Sequence, residues 1–194
     1  MPLISKTRLN SLASVAYKSV HQATRELSEA RSRSIKSVET FNIFLSHRYL
    51  DAKEVLALKT LIESHGLHVY VDWIDSPQLP RTNVTKETAA ELRNVMRRSQ
   101  SLLYADSENS AGSKWMPWEL GFSDGLHGRV AIVPVTDQQQ SSESFHGQEY
   151  LGIYPYLTLT RDRTGTERLF VNESASKYLS LSDWIKGLAF RSVG

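Results

Sequence analysis

The chain has 194 residues, 40% hydrophobic and 23% charged, which suits one globular domain with an appendage and excludes a disordered chain. It contains no cysteine, so disulfides, iron–sulfur clusters, thiolate zinc sites and cysteine nucleophiles are excluded together. No apolar run approaches the ~18 residues of a membrane-spanning helix. The net charge of +2 is uneven: residues 1–40 carry +4 and the remainder −2, so no basic domain surface for nucleic acid is indicated.

In chain order, Thr7 to Ser34 holds neither Gly nor Pro, and Leu9, Leu12, Val20, Ala23, Leu27 and Ala30 recur at the spacing of one helical face. Lys18, Arg25, Arg31 and Arg33 fall largely elsewhere. The pattern predicts a basic amphipathic helical arm over residues 1–38, packed on the domain or on a neighbouring subunit. Its stripe lacks the Trp or Phe of a membrane-surface helix. Glu26 and Glu29 argue against an organellar presequence.

From Phe41 the pattern becomes strand–helix alternation, and residues 39–194 are taken as the domain. Phe41 to Leu45 reads as a buried strand. Asp51 to His65 reads as a helix, with Asp51 and Glu54 as a capping box and Val55, Leu58 and Ile62 on one face; Gly66 ends it. Leu67 to Val71 is a second strand. Ile74 to Asn83, with Pro77 and Pro80, is a loop. Thr85 caps a helix containing Ala89, Leu92 and Met96. Ser101 to Ala105 is a third strand and Ser107 to Ser113 a polar loop. A helix runs from about Trp115 to Leu126, since Pro117 is tolerated only in a first turn. Val130 to Val135 is a fourth strand, 137–148 an exposed loop and Tyr156 to Leu159 a fifth strand. Arg161 to Thr166 turns into Leu169 to Val171, and Glu173 to Leu188 is predicted to close the chain as an amphipathic helix.

Such alternation implies an α/β fold, a flavodoxin-like three-layer sandwich in which a parallel sheet of about five strands carries helices on both faces. Ligands in such sheets bind outside the carboxyl ends of the strands. Those ends are Ser46 to Tyr49, Asp72 to Asp75, Asp106 to Asn109 and the loop entering the helix at Trp115. There is no phosphate-binding glycine loop of either common type. Ser46-His47-Arg48 cannot supply the acidic cluster of a phospho-acceptor domain, so Asp106 reads as a turn or cap residue. The six histidines show no zinc-ligand spacing.

Ser113-Lys-Trp-Met-Pro-Trp-Glu-Leu-Gly-Phe122 is the most informative stretch. At helical spacing Trp115, Glu119 and Phe122 share a face, and a carboxylate between two aromatic positions is a misfit for a core stripe. The amino end of a helix favours a negative charge such as that of Glu119. Trp115 and Trp118 could wall an aromatic ligand. The equally weighted alternative makes both tryptophans core and Glu119 a solvent-facing residue of the first turn.

Three segments resemble one family. Phe41-Asn-Ile-Phe-Leu-Ser-His-Arg48 is similar to the opening strand of Toll/interleukin receptor (TIR) domains. Gly66-Leu-His-Val-Tyr-Val-Asp72 is similar to their second strand, which ends in Asp before the BB loop. Trp115-Met-Pro-Trp-Glu119 matches the Trp-x-x-x-Glu pattern that carries the catalytic glutamate of NAD-cleaving members, and Ser113 fits the preceding serine. The resemblance covers roughly residues 40–136 and is nearest to the bacterial stand-alone proteins of Thoeris antiphage systems.

What it implies is a cytoplasmic enzyme that cleaves the nicotinamide–ribose bond of NAD and forms ADP-ribose or a cyclic isomer as an immune signal. NAD is then the substrate, and no cofactor or metal is implied. Glu119 is the implied catalytic residue. Ser46, His47, Arg48 and Tyr49 are implied to line the mouth, with Arg48 toward the pyrophosphate. Asp72 and Trp73 are implied at the floor or gate, and Trp115 and Trp118 as stacking surfaces. The implied partners are other TIR copies and a separate effector that senses the product, with neither nucleic acid nor membrane. The competing expectation is a non-catalytic TIR adaptor acting through homotypic contacts.

Overall fold

The apolar runs pair as a largely parallel sheet in a mixed α/β fold. The computed structural model describes residues 3–16, 22, 25, 40–48, 51–76, 85–136, 145, 149–162 and 164–192. Strand β1 is Ile4–Ser5, β2 Phe41–Ser46, β3 Val69–Tyr70, β4 Ser99–Asp106, β5 Val130–Thr136 and β6 Tyr156–Arg161. The order β3-β2-β4-β5-β6 is parallel throughout, which gives the five parallel strands expected. Antiparallel strands β7 (Glu167–Ser174), β8 (Lys177–Ser180) and β9 (Arg191–Ser192) extend it to nine strands among the described residues, with β1 lying off this path. Strand β1 runs parallel to the carboxyl end of β5, with Ile4 opposite Val135.

Alternation along the central strands divides the core into two. Ile43, Leu45, Leu103, Ala105, Ala131 and Val133 enter one cluster together with Val55, Leu58 and Ile62 of α2 (Ala52–Glu63). Phe44, Leu102, Tyr104, Val130 and Ile132 enter the other. There they meet Leu92 and Met96 of a helix at Lys86–Arg97 and Met116 and Leu120 of one at Met116–His127. Between α2 and these two comes α3, a single turn at Asp72–Asp75, so the two helices are α4 and α5. Each core is thus the buried face of the strands plus the apolar stripe of its helices.

Helix α1 (Lys6–Ala16) packs with α2, and Leu9 is fully buried in the first core. Spacing alone did not reveal β1. Of the predicted arm, Gln22 and Arg25 are also helical; much of its remainder lies outside the described residues, as do Tyr49, Pro77, Pro80 and most of 137–148. Thr85 caps α4 as expected, its side-chain oxygen accepting from Thr88 N at 3.1 Å. Gly66 (φ +78°) and Gly128 (φ +64°) take the left-handed conformation where α2 and α5 give way to strands.

Three expectations are corrected. Asp51 makes no side-chain cap bond on α2; its carboxylate is drawn to a distant loop, described below. The Ile74 side of the predicted loop begins inside α3 rather than in irregular chain. Glu173–Leu188 is not one helix. Strand β7 runs to Ser174, β8 occupies Lys177–Ser180, and only α6 (Leu181–Ile185) is helical. Leu179 is buried opposite Val171, and this cross-strand pairing outweighs a helical period that only Leu181, Trp184 and Ile185 sustain. Ser180 then starts α6 by accepting from Asp183 N at 3.2 Å. No helix among the described residues is long and apolar enough to cross a membrane.

Candidate active site

The carboxyl ends of β2 and β4 meet the first turn of α5. Pro117 sits at the start of this helix, and Ser113 Oγ accepts from Met116 N at 3.2 Å, so a hydroxyl caps the end that Trp115 cannot cap. Glu119 falls in that first turn on the side facing the sheet, with no solvent exposure. Ser46, the last residue of β2, donates its hydroxyl to Glu119 Oε2 at 2.6 Å. A fully buried carboxylate demands such a donor, because stripping it of water without replacement is costly. The alternative that makes Glu119 a solvent-facing residue is therefore overturned.

The helical face differs from the sequence reading. Glu119 shares its buried face with Met116, Leu120 and Ser123. Phe122 instead stacks on Trp118, with ring centroids 5.9 Å apart, one turn along. Arg93 and Arg97 of α4 lie over these rings, at 5.9 Å from Trp118 and 5.5 Å from Phe122. Trp118 thus turns toward α4. Trp115 is buried, meeting Trp118 edge-on at 5.5 Å.

His47 is almost fully buried and is fastened from two sides. Its Nδ1 lies 2.8 Å from the Leu45 carbonyl, and its Nε2 accepts from Trp73 Nε1 at 2.8 Å. Because an indole N–H only donates, Nε2 is the acceptor and Nδ1 carries the proton. Asp72 Oδ1 stands 3.2 Å from the same Nε2. The structure thus brings His47, Asp72 and Trp73 into one cluster, with His47 next in the chain to Ser46.

Arg48 and Asp51 organise the loop between β4 and α5. Arg48 Nη1 donates to the Asn109 carbonyl at 3.1 Å, and its guanidinium fills the space where a side chain at Gly112 would begin. Asp51 accepts from Ser107 Oγ at 2.5 Å and from Asn109 Nδ2 at 2.6 Å. Asp106 accepts from Ser110 Oγ at 2.9 Å, a turn-bracing role as expected, and burial pushes its carboxyl upward against that bond. Sequence reasoning missed Asp51 as a loop anchor because its position before a helix offered a simpler role.

It also missed Tyr104. This residue pairs in register with Ser46 and points into the same core as Met116. Burial pushes its phenol up to about 12, and Tyr150 and the carboxylates of Asp106 and Glu119 push the same way. A phenol facing inward near a strand's carboxyl end was the available signal. Chemically, the cluster offers one fully buried carboxylate, a phenol and hydroxyl beside it, and a guanidinium on the neighbouring loop.

No protein-family model matches the chain. Among curated proteins it is similar to the probable 3′ cyclic ADP-D-ribose synthase ThsB′ of Bacillus cereus (strain MSX-D12), at 41% identity over 186 residues, covering 91% of this chain and 96% of that protein. It is also similar to the putative cyclic ADP-D-ribose synthase TIR2 of Cytobacillus dafuensis, at 24% identity over 115 residues, covering 59% of this chain and 30% of that protein.

Proposed function

The chain belongs to the TIR proteins of the Thoeris cyclic ADP-ribose synthase kind, and from this membership we propose that it cleaves the nicotinamide–ribose bond of NAD and closes the remainder into a cyclic ADP-ribose isomer. The observation that carries the catalytic assignment is the carboxylate of Glu119, held by Ser46 in the first turn of α5. Nicotinamide in NAD is a cationic pyridinium. It departs with the bonding electron pair and needs no proton, so one well-placed carboxylate suffices where O-glycosidases use an acid and a base.

Positive charge then develops on the ribose carbon and its ring oxygen. A carboxylate beside the ribose is favoured more in that state than in the ground state. A hydroxyl of the same molecule attacks the ribose carbon and gives up its proton, closing the ring. The name of the Bacillus relative points to the 3′ position as that hydroxyl. Water in its place gives linear ADP-ribose.

We assign Ser46 to hold Glu119, and His47, Asp72 and Trp73 to shape the mouth. We assign Arg48 to the pyrophosphate, Tyr49 to the same mouth, and Trp115 and Trp118 to the border of the ring-binding region. Arg48 presents a planar fork suited to phosphate oxygens. The fold is inferred to be the flavodoxin-like three-layer form, with a TIR domain over 39–194 braced by β1 and α1 from the arm at 1–38. Self-association through TIR–TIR contacts, an effector that reads the product, a cytoplasmic setting and an antiphage role complete the reading. The complete burial of Glu119 in a single subunit supports a resting state that opens when copies associate. The non-catalytic adaptor reading gains no support from a carboxylate kept in this way.

The test is chromatography of NAD incubated with concentrated protein beside Glu119→Gln. The expected result is nicotinamide and a cyclic isomer, both absent with a variant that remains folded. Undiminished turnover in Glu119→Gln would remove the catalytic assignment.

A further inference from the structure

Lys59 lies on the inner side of α2 at 4% exposure, beside the apolar residues that fill the first core. A buried ammonium is costly unless it is paired and hydrogen-bonded. Its Nζ is 2.7 Å from Glu63 Oε1, donates to the Val69 carbonyl, and lies 3.9 Å from Asp75 Oδ2. Glu63 Oε1 also accepts from Val69 N at 3.3 Å, and Asp75 accepts from Val71 N. One ammonium therefore ties together the end of α2, strand β3 and the last residue of α3.

Helix α3 is a single turn of four residues and has no stability of its own. Asp75 anchors one end to this knot. At the other end Asp72 and Trp73 reach His47, the residue after Ser46. Lys59 itself belongs to the helix that covers the opposite face of the sheet from α5 and Glu119. An apolar residue of similar length would fill its space with no desolvation cost. What the ammonium adds is direction, since its donors converge on Glu63, Val69 and Asp75 and so fix α3 along β3.

We propose that Lys59 is a positioning residue of the active site: through Asp75 it fixes α3, and α3 sets Trp73 and Asp72 against His47 at the mouth. The inference rests on the site assigned above. Its test has a readout independent of turnover. The chain has four tryptophans, so four indole N–H signals are expected in a nitrogen-15 spectrum, and Trp73→Phe identifies the one donated to His47.

In Lys59→Met and in Asp75→Asn, the Trp73 signal is expected to shift while the other three hold. The KM for NAD should rise roughly 3- to 10-fold with kcat within about twofold, and the double variant should be no worse than either single one. A Trp73 signal unmoved in the folded variants, with KM unchanged, overturns the proposal. So does collapse of all four signals in both variants, which makes Lys59 a plain stability element. If the unaltered chain, concentrated so that copies associate, releases no nicotinamide, the NAD reading fails, while the Trp73 signal still decides the role of Lys59.

Discussion

Ser46 and Glu119 lie 73 positions apart in sequence, yet the serine hydroxyl stands 2.6 Å from the glutamate carboxylate. The bond joins the end of β2 to the start of α5 and fixes one carboxylate oxygen. Ser46→Ala removes the donor and leaves a buried acceptor. A loss of about 1–3 kcal/mol in stability is expected. Nicotinamide release should fall further, on the order of 10- to 100-fold, because the carboxylate loses its orientation. Denaturant unfolding and a nicotinamide assay on the same preparation separate the two effects, and full turnover in the variant would show that the bond is incidental.

Gly112 marks where Arg48 rests. A Cβ there would stand 2.2 Å from Arg48 Nη1, and that atom is the far end of a flexible side chain. Gly112→Ala should therefore leave stability within about 1 kcal/mol while displacing the guanidinium. The KM for NAD should rise as it does in Arg48→Ala, and the combined variant should add nothing. Additive effects would mean that Gly112 matters for the loop and not for Arg48.

Tyr104 gives an alkaline signature. Its phenol is pushed up to about 12 in the folded chain, chiefly by burial, against an ordinary value near 10. Between these values the unfolded chain loses its proton and the folded chain keeps it, so stability falls as pH rises through that window. The loss is on the order of 2 kcal/mol. Tyr104→Phe should flatten this part of the curve in denaturant titrations between about pH 9 and pH 12. Tyr154, also pushed up to about 12 by burial and by its bond to Asp124, should leave a residual slope. A curve identical to that of the unaltered chain would contradict the assignment.

Leu9 tests whether the amino-terminal helix is core. It is fully buried against the first cluster, so Leu9→Ala should cost about 2–5 kcal/mol. Leu12, partly buried on the same helix, should cost less on the same substitution. Equal and small effects in thermal unfolding would mean that α1 rests loosely on α2.

The central strands were legible because each is a short apolar run bounded by turn residues, a purely local signal. Glu119 stood out as a candidate because a carboxylate interrupts an aromatic stretch behind a proline that can only begin a helix, but its burial was not legible, since spacing weighted a solvent-facing position equally. The partners of Asp51 were not. Ser107 and Asn109 lie 56 and 58 positions away, and a residue ahead of a helix reads locally as its cap. The bond from Trp73 to His47 was hidden in the same way, since side chains 26 positions apart meet only once β2 and β3 pair. The carboxyl-terminal hairpin was misread because the helical stripe of Leu181, Trp184 and Ile185 was extended back too far; the sheet edge left by β7 draws Leu179 into a strand opposite Val171.

The pairing of Ile4 with Val135 has a consequence for how the chain is made. Strand β1 leaves the ribosome long before β5, so it waits without its sheet partner while three of the parallel strands assemble. Arg8 waits longer still, because Glu167, which it grips through both carboxylate oxygens, is made after β6. Long-range pairings of this kind close late and slow folding. The segment carrying β1 and Arg8, made before the partners it pairs with, should therefore be among the last parts of this fold to be seated, and its docking should be the step at which a newborn chain becomes resistant to proteolysis.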